Sequence, residues 1–250
     1  MILVDPGPSQ KAGKALQAVL GGMSGLPVVA IVLTHAHPEN TLATGALSGP
    51  GVPVIASDLA AGLMYERCPR CLARLQRSVG ASGMKGTRII LPNHTVAQSD
   101  TRVIGGRSMR LLRFEHAHTR GDLAVLDEET RVLFAGGLAV AEVIPDLGEG
   151  SLAGWRQALT ELIALRPRMT IPGQGTLAAA DPLGATLAYL DSVAAFVTRE
   201  LVVGSDLAGA LDRASMPAFG GWSGYPRRHL LNVQRAWQEM EGEFFFGKND

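Results

Sequence analysis

Apolar and polar positions along the chain switch repeatedly between two periods. "MILVD" (1–5), "PVVAIVLTH" (27–35) and "VPVIAS" (52–57) are short apolar runs. The second is continuous, as expected for a strand buried on both faces. Between and after them, "QKAGKALQAVLGGM" (10–23), "ENTLATGALSG" (39–49) and "GLMYERCPRCLARLQRSVG" (62–80) carry helical spacing. Pro69 should fall in the first turn of the last of these or break it, since it has no N–H to give. From residue 87 the pattern becomes strand-rich: "TRIILPNHTV", "TRVIGG", "SMRLLRFEHAH" and "DLAVLDEETRVLFAGG". "LDEETRV" makes a hairpin turn inside the last of these. "LAGWRQALTELIAL" (152–165) predicts an amphipathic helix and "RMTIPGQG" (168–175) a strand closed by a glycine loop. "PLGATLAYLDSVAAFVTRELVVG", "SDLAGALDRAS" and "RRHLLNVQRAWQEMEGEFF" predict a helical end to the chain.

Strands alternating with helices around a β-rich centre imply the layered α/β class. At 250 residues a single domain, 1–250, is expected, with a helical C-terminal extension over about 183–250. The chain is 46% apolar and 18% charged, which suits a packed core rather than a disordered segment. Basic and acidic residues balance at 23 each, so no electrostatic footprint for nucleic acid or an anionic membrane is present. No apolar run reaches the roughly 18 residues of a membrane span. No charged segment followed by an apolar one opens the chain. A cytoplasmic protein is expected, or a periplasmic one if a leader precedes this sequence. The two cysteines, Cys68 and Cys71, supply half of a structural zinc site at most. They are expected to be ordinary thiols, with a disulfide or redox pair as the alternative.

Chemistry concentrates in "IVLTHAHPENTLATG" (31–45). His35 and His37 leave a strand end two residues apart, and positions i and i+2 of an extended segment project to one side. Two such imidazoles can converge on a metal, with a third ligand from elsewhere in the chain. His116 and His118 in "FEHAHTRGDLAV" repeat the spacing, also at a strand end.

"THAHPEN" resembles the Thr-His-x-His-x-Asp-His motif of the metallo-β-lactamase-fold superfamily. "LVDPGPS", "AHTRGD", "LFAGGLAV" and "IPGQG" resemble four further signature stretches of that family, and the five matches run in family order from residue 3 to 175. The resemblance implies an αββα sandwich, here lacking the family's usual N-terminal β-hairpin. It implies His35, His37 and His118 as ligands of the first metal, and Asp5 as the residue that braces the ligand loop, a position that also reads as a turn residue before Pro6. It also implies that His116 is not a ligand. "THAHPEN", "AHTRGDLAVLDEET", "GSLAGW" and "RRHLLNVQRAWQEMEGE" are similar to the metallohydrolases associated with quinoprotein and sulfur-oxidation systems.

The second metal site of that family is degenerate here. Its positions hold Glu39, Asn40, Gln174 and, in place of the bridging aspartate, Gly137. Neutral amides are weak ligands for a transition metal and glycine offers no side chain. One zinc is therefore expected, with one coordination position open, as in catalytic sites. Glu39 is the candidate general base, or else a carboxylate favoured at a helix N-terminus. Asp122 is expected to support His118 or simply to start a strand, and Gln174 to wall the cleft. His94 reads as a loop residue, and His229 has no partner motif. Three functions remain open: a mono-zinc hydrolase of a small ester, thioester or lactam; a binding or scaffold protein that kept the fold without catalysis; and a redox or sulfur-handling protein using Cys68 and Cys71. The oligomeric state is not legible.

Overall fold

The computed structural model describes residues 1–177 and 180–246. They form two compact units, each assembled from separate stretches: Met1–Glu115 with Gly121–Gly136, and His116–Arg120 with Gly137–Asp250. The architecture is mixed α/β with two sheets.

The first unit is built on a parallel sheet in the order β1 (Ile2–Val4), β2 (Ala30–Val32), β3 (Val54–Ser57), β4 (His94–Val96). Parallel neighbours need crossover connections. Helix α1 (Gln10–Met23) supplies the first and α4 (Asp58–Ser78) the third. Ser9 and Ser57 cap these two helices by accepting the Ala12 and Ala60 amides.

The continuous apolar run at β2 divides by parity. Ala30 and Val32 face a cluster with Ile55, Val96, Met109, Leu111, Leu123 and Val125. Ile31 and Leu33 face the opposite cluster with Val54, Ala56, Ala60, Met64 and Cys68 of α4. A strand covered on both faces needs apolar residues at every position, and β2 is buried throughout.

The second sheet runs in the order β5 (Asp100–Ile104), β6 (Arg107–His116), β7 (Arg120–Asp127), β8 (Val132–Ala141), β9 (Met169–Gly175). Gly105 and Gly106, at φ of 57° and 83°, form the two-residue connection between antiparallel β5 and β6. The predicted β7–β8 hairpin is present, with Asp127 opposite Val132. Asp127 accepts from the Thr130 hydroxyl (2.8 Å), the Glu129 amide (3.1 Å) and Arg107, which ties the turn to β6.

Four expectations need correction. Pro69 neither starts nor breaks its helix, because α4 continues through it to Ser78. Its apolar stripe of Ala60, Met64 and Cys68 packs into the core, and that burial outweighs one lost backbone bond. The segment 39–49 is not one helix but two single turns, α2 (Pro38–Thr41) and α3 (Thr44–Leu47). The strand expected over 87–96 pairs only at 94–96. Pro92 lacks a ladder donor there, and Asn93 instead holds Val54 through both its amide and its side chain. His94 is thus the first residue of a strand, not a loop residue.

In the second unit, α5 (Leu152–Ala164), α6 (Pro182–Val202), α7 (Leu207–Arg213) and α8 (Arg227–Phe246) match the predicted helices. Residues 247–250 of the expected extension lie outside the described residues. Trp155 is fully buried and its indole N–H donates to the Leu138 carbonyl (2.9 Å). The sequence left His229 without a partner, but it is fully buried and bonded on both ring nitrogens, to Tyr189 Oη (3.0 Å) and the Ala214 carbonyl (3.1 Å).

Glu200 of α6 joins α7 through Arg213 (2.6 Å) and also accepts from the Ser205 hydroxyl (2.9 Å). The Arg213 guanidinium holds this carboxyl below the ordinary glutamate value. A lowered folded-state pKa stabilises fully above the unfolded value, and the contribution disappears as pH falls through the folded value. Glu200→Gln should therefore lower the melting temperature at neutral pH. The gap to the parent should close as the pH drops below the glutamate range, as thermal unfolding at a series of pH values will show.

Candidate metal centre

The site begins where β2 ends. Thr34 is held from several sides: its amide (2.8 Å) and hydroxyl (2.6 Å) both donate to Asp5, and its carbonyl accepts the Leu123 amide (2.7 Å). A Cβ built on Gly136 would overlap the Thr34 side chain, and Gly136 has φ of 53°, so only glycine fits there. Asp5 itself has φ of 52°. Burial pushes its carboxyl up to about 6, against the Thr34 hydrogen bonds that pull it down, so it is mostly ionised at neutral pH.

This carboxylate fixes the next residue. Asp5 can only accept, so the Thr34 hydroxyl gives it its proton. The same oxygen then accepts from His35 Nδ1–H at 2.8 Å. The His35 tautomer follows, with a lone pair on Nε2. That lone pair faces the Asn40 amide nitrogen, 2.9 Å away.

His37 caps the one-turn helix α2, with its ring edge-on to that of His35 at 4.8 Å between centroids. Glu39 lies in the first turn of α2, half exposed, with Oε1 3.6 Å from His37 Nδ1. That distance is too long for a hydrogen bond. A four-residue helix has few aligned peptides, so its dipole gives Glu39 little.

His118 sits in the short connection between β6 and β7. The Ala117 amide donates to the Thr119 carbonyl at 3.0 Å, closing this loop. The Ser57 hydroxyl donates to the Gly121 carbonyl at its far end. The His118 ring is buried against Trp155, with centroids 5.0 Å apart, and its Nδ1 donates to the Asp146 carbonyl at 3.0 Å. A carbonyl only accepts, so Nδ1 carries the hydrogen and Nε2 keeps its lone pair.

Among the described residues, His35, His37 and His118 form one group that could hold a metal ion, their ligand atoms all within 4.8 Å of one another. The residues at 1–174 match the family description "Metallo-beta-lactamase superfamily". The chain belongs to the metallo-beta-lactamase superfamily. It is similar in structure to a metallo-beta-lactamase from Pontibacter korlensis, at 25% identity and a TM-score of 0.61, over 76% of this chain and 81% of that one. It shares the fold of metallo-beta-lactamase IND-7 at 19% identity and a TM-score of 0.60, over 76% of this chain and 80% of that one. No curated protein sequence matches the chain.

The donor chemistry of this metallo-beta-lactamase homologue fits a metal. Two of its three imidazoles carry their ring hydrogen on Nδ1 and bond it to the protein, the arrangement that orients metal-ligating histidines. Binding an ion would ask the three ligand nitrogens to draw together around it. It also asks the Asn40 amide to leave His35 Nε2.

The remaining candidate residues are placed as follows. Asn40 is a hydrogen-bond donor to His35, a role its residue type alone does not signal. Asp122 is buried in β7, and Gln174 stands exposed on β9. His116 Nε2 lies 2.9 Å from the Glu149 carbonyl, and exposed His94 bonds Asn93. Cys68 and Cys71 are free thiols. Cys68 is buried, with Sγ 4.0 Å from the carbonyl of Ala36, the residue between His35 and His37. Burial pushes its thiol up to about 11, so it is no thiolate at neutral pH.

Gly137 has a structural cause that sequence reading missed. A Cβ at this position would overlap Cδ2 of His118. The ring therefore occupies the space a side chain at 137 would need. Introducing the family carboxylate through Gly137→Asp should fail to create a second metal site. It should instead displace His118 and weaken binding of the first ion by about 10–100-fold, as equilibrium dialysis against zinc will show.

Proposed function

We propose that this protein is a metal-dependent hydrolase that works with a single ion, zinc, and acts on a small molecule of ester, thioester or lactam type. The observation that carries the reading is the His35, His37 and His118 group, in a member of the metallo-beta-lactamase superfamily. Three nitrogen donors leave one tetrahedral position open, which suits catalysis rather than structure. When bound, zinc supplies Lewis acidity strong enough to ionise water near neutral pH.

The chain's own residues divide the remaining work. Asp5 and Thr34 orient His35, and the Asp146 carbonyl orients His118. Glu39 lies 3.6 Å from His37 and is exposed enough to exchange protons with water or substrate. In hydrolysis it would take a proton from the attacking water as the new C–O bond forms. It would then return that proton to the oxygen, sulfur or nitrogen that leaves. A narrower kinship with quinoprotein- and sulfur-oxidation-associated hydrolases, a cytoplasmic or periplasmic site of action, and a role without nucleic acid or membrane complete the reading. Among the described residues no helix is long and apolar enough to cross a membrane.

A second reading has its own observation. The Asn40 amide on His35 Nε2 occupies the lone pair that a metal would use, as suits a binding protein that has given up catalysis.

Zinc-reconstituted protein should retain about one equivalent after dialysis, and His118→Ala should lose it. Less than half an equivalent in the parent would overturn the hydrolase reading. Across a panel of esters, thioesters and lactams, Glu39→Gln should lower kcat by about 10²–10⁴-fold while leaving zinc content unchanged. Full zinc occupancy with no turnover on any substrate would favour the binding-protein reading.

A further inference from the structure

The C-terminal helix α8 lies beyond the family match at 1–174. One stripe of it nevertheless grips the segment between β8 and α5. Asn232 donates to the Pro145 carbonyl (2.7 Å) and accepts the Leu147 amide (3.0 Å). Arg235, one turn on, donates to the Gly150 carbonyl (2.9 Å). Glu239, a further turn on, accepts from the Ser151 hydroxyl (3.0 Å) and the amides of Leu152 (2.9 Å) and Ala153 (3.0 Å) at the start of α5. Spacings of three and four residues put these side chains on one helix face.

Asn232 is the informative member. Its two bonds go to the residues on either side of Asp146. The Asp146 carbonyl and the Leu147 amide belong to one planar trans peptide group, so they point in opposite directions. A side-chain amide clamped on Pro145 and Leu147 therefore turns the Asp146 carbonyl away from α8. That carbonyl is the acceptor for His118 Nδ1–H. The orientation of the Asn232 amide is not free, because a carbonyl can only accept and a backbone amide can only donate. Its nitrogen also donates to Tyr189 Oη (2.9 Å), which leaves the Tyr189 hydroxyl to donate to His229 Nδ1, and His229 Nε2–H to donate to Ala214. Tyr189, His229 and Asn232 are all buried, so water cannot substitute for a lost member without entering the core.

We infer that Asn232 is a positioning residue for His118: by aiming the Asp146 carbonyl it sets the His118 tautomer, with the hydrogen on Nδ1 and the lone pair on Nε2. The inference about the tautomer stands on hydrogen-bond geometry. Its consequence for metal binding rests on the hydrolase reading above.

The test uses the full chain, metal-free and with ¹⁵N-labelled histidine, at about pH 8, where imidazole is neutral. Nitrogen shifts of parent His118 should report a protonated Nδ1 and a bare Nε2. A parent His118 protonated on Nε2 overturns the inference without any variant. In Asn232→Leu, and in Asn232→Asp, which keeps the acceptor for Leu147 but not the donors, both His118 tautomers should be populated. Cobalt(II) titration should then show about 10–100-fold weaker binding than in the parent. Arg235→Leu loosens the same segment but keeps Asn232. It should lower the melting temperature and leave the His118 tautomer unchanged. A tautomer shift of equal size in Arg235→Leu, or none in folded Asn232 variants, overturns the inference. A parent that shows the expected tautomer and variant response but binds no cobalt overturns the hydrolase reading and leaves the positioning role standing.

Discussion

The site depends on one half-buried carboxylate that can only accept hydrogen bonds. Asp5 takes both donors of Thr34 and thereby decides how the chain leaves β2 and which nitrogen of His35 carries its hydrogen. Burial raises the cost of keeping that carboxylate charged, and the two Thr34 bonds are what the fold sets against it. The neighbours agree with this arrangement. Gly136 leaves room for the Thr34 side chain, and Leu123 fixes its carbonyl. His35 at a strand end becomes a directed imidazole only because the residue before it is held in place.

His118 is directed by the same logic in different materials. A backbone carbonyl takes the place of the carboxylate, a tryptophan face backs the ring, and a glycine clears its edge. The absence of the family's bridging carboxylate at 137 is therefore not a simple deletion. Imidazole and side chain compete for one volume, and close packing does not allow both. That the carbonyl points correctly is traced to α8, through an amide that binds on both sides of Asp146.

Much of the fold was legible because burial leaves a periodic mark. The β2 run had no polar position, and both its faces are covered. The hairpin at 127–132 and the helices at 152–164, 182–202 and 207–213 followed from turn chemistry and amphipathic spacing. Pro69 misled because a local rule about donors was weighed without the core contacts of Met64 and Cys68. The stretch at 87–96 misled because apolar character alone does not supply ladder donors, and Pro92 has none. His229 looked idle because its partners, Tyr189 and Ala214, are distant in sequence.

The sequence by itself determined the kinds of donor available: three histidines at strand ends, an early aspartate, amides and a glycine where a second cage would stand. Those are properties of residue identity and order, and a linear reading captures them. Tertiary structure decided which nitrogen of His35 and of His118 carries the hydrogen, that Asn40 faces the first ring and that Gly137 must stay bare for the second. Tautomer and clearance depend on what lies across a gap of a few ångströms, and contacts such as Asn232 with Pro145 join positions that no local pattern connects.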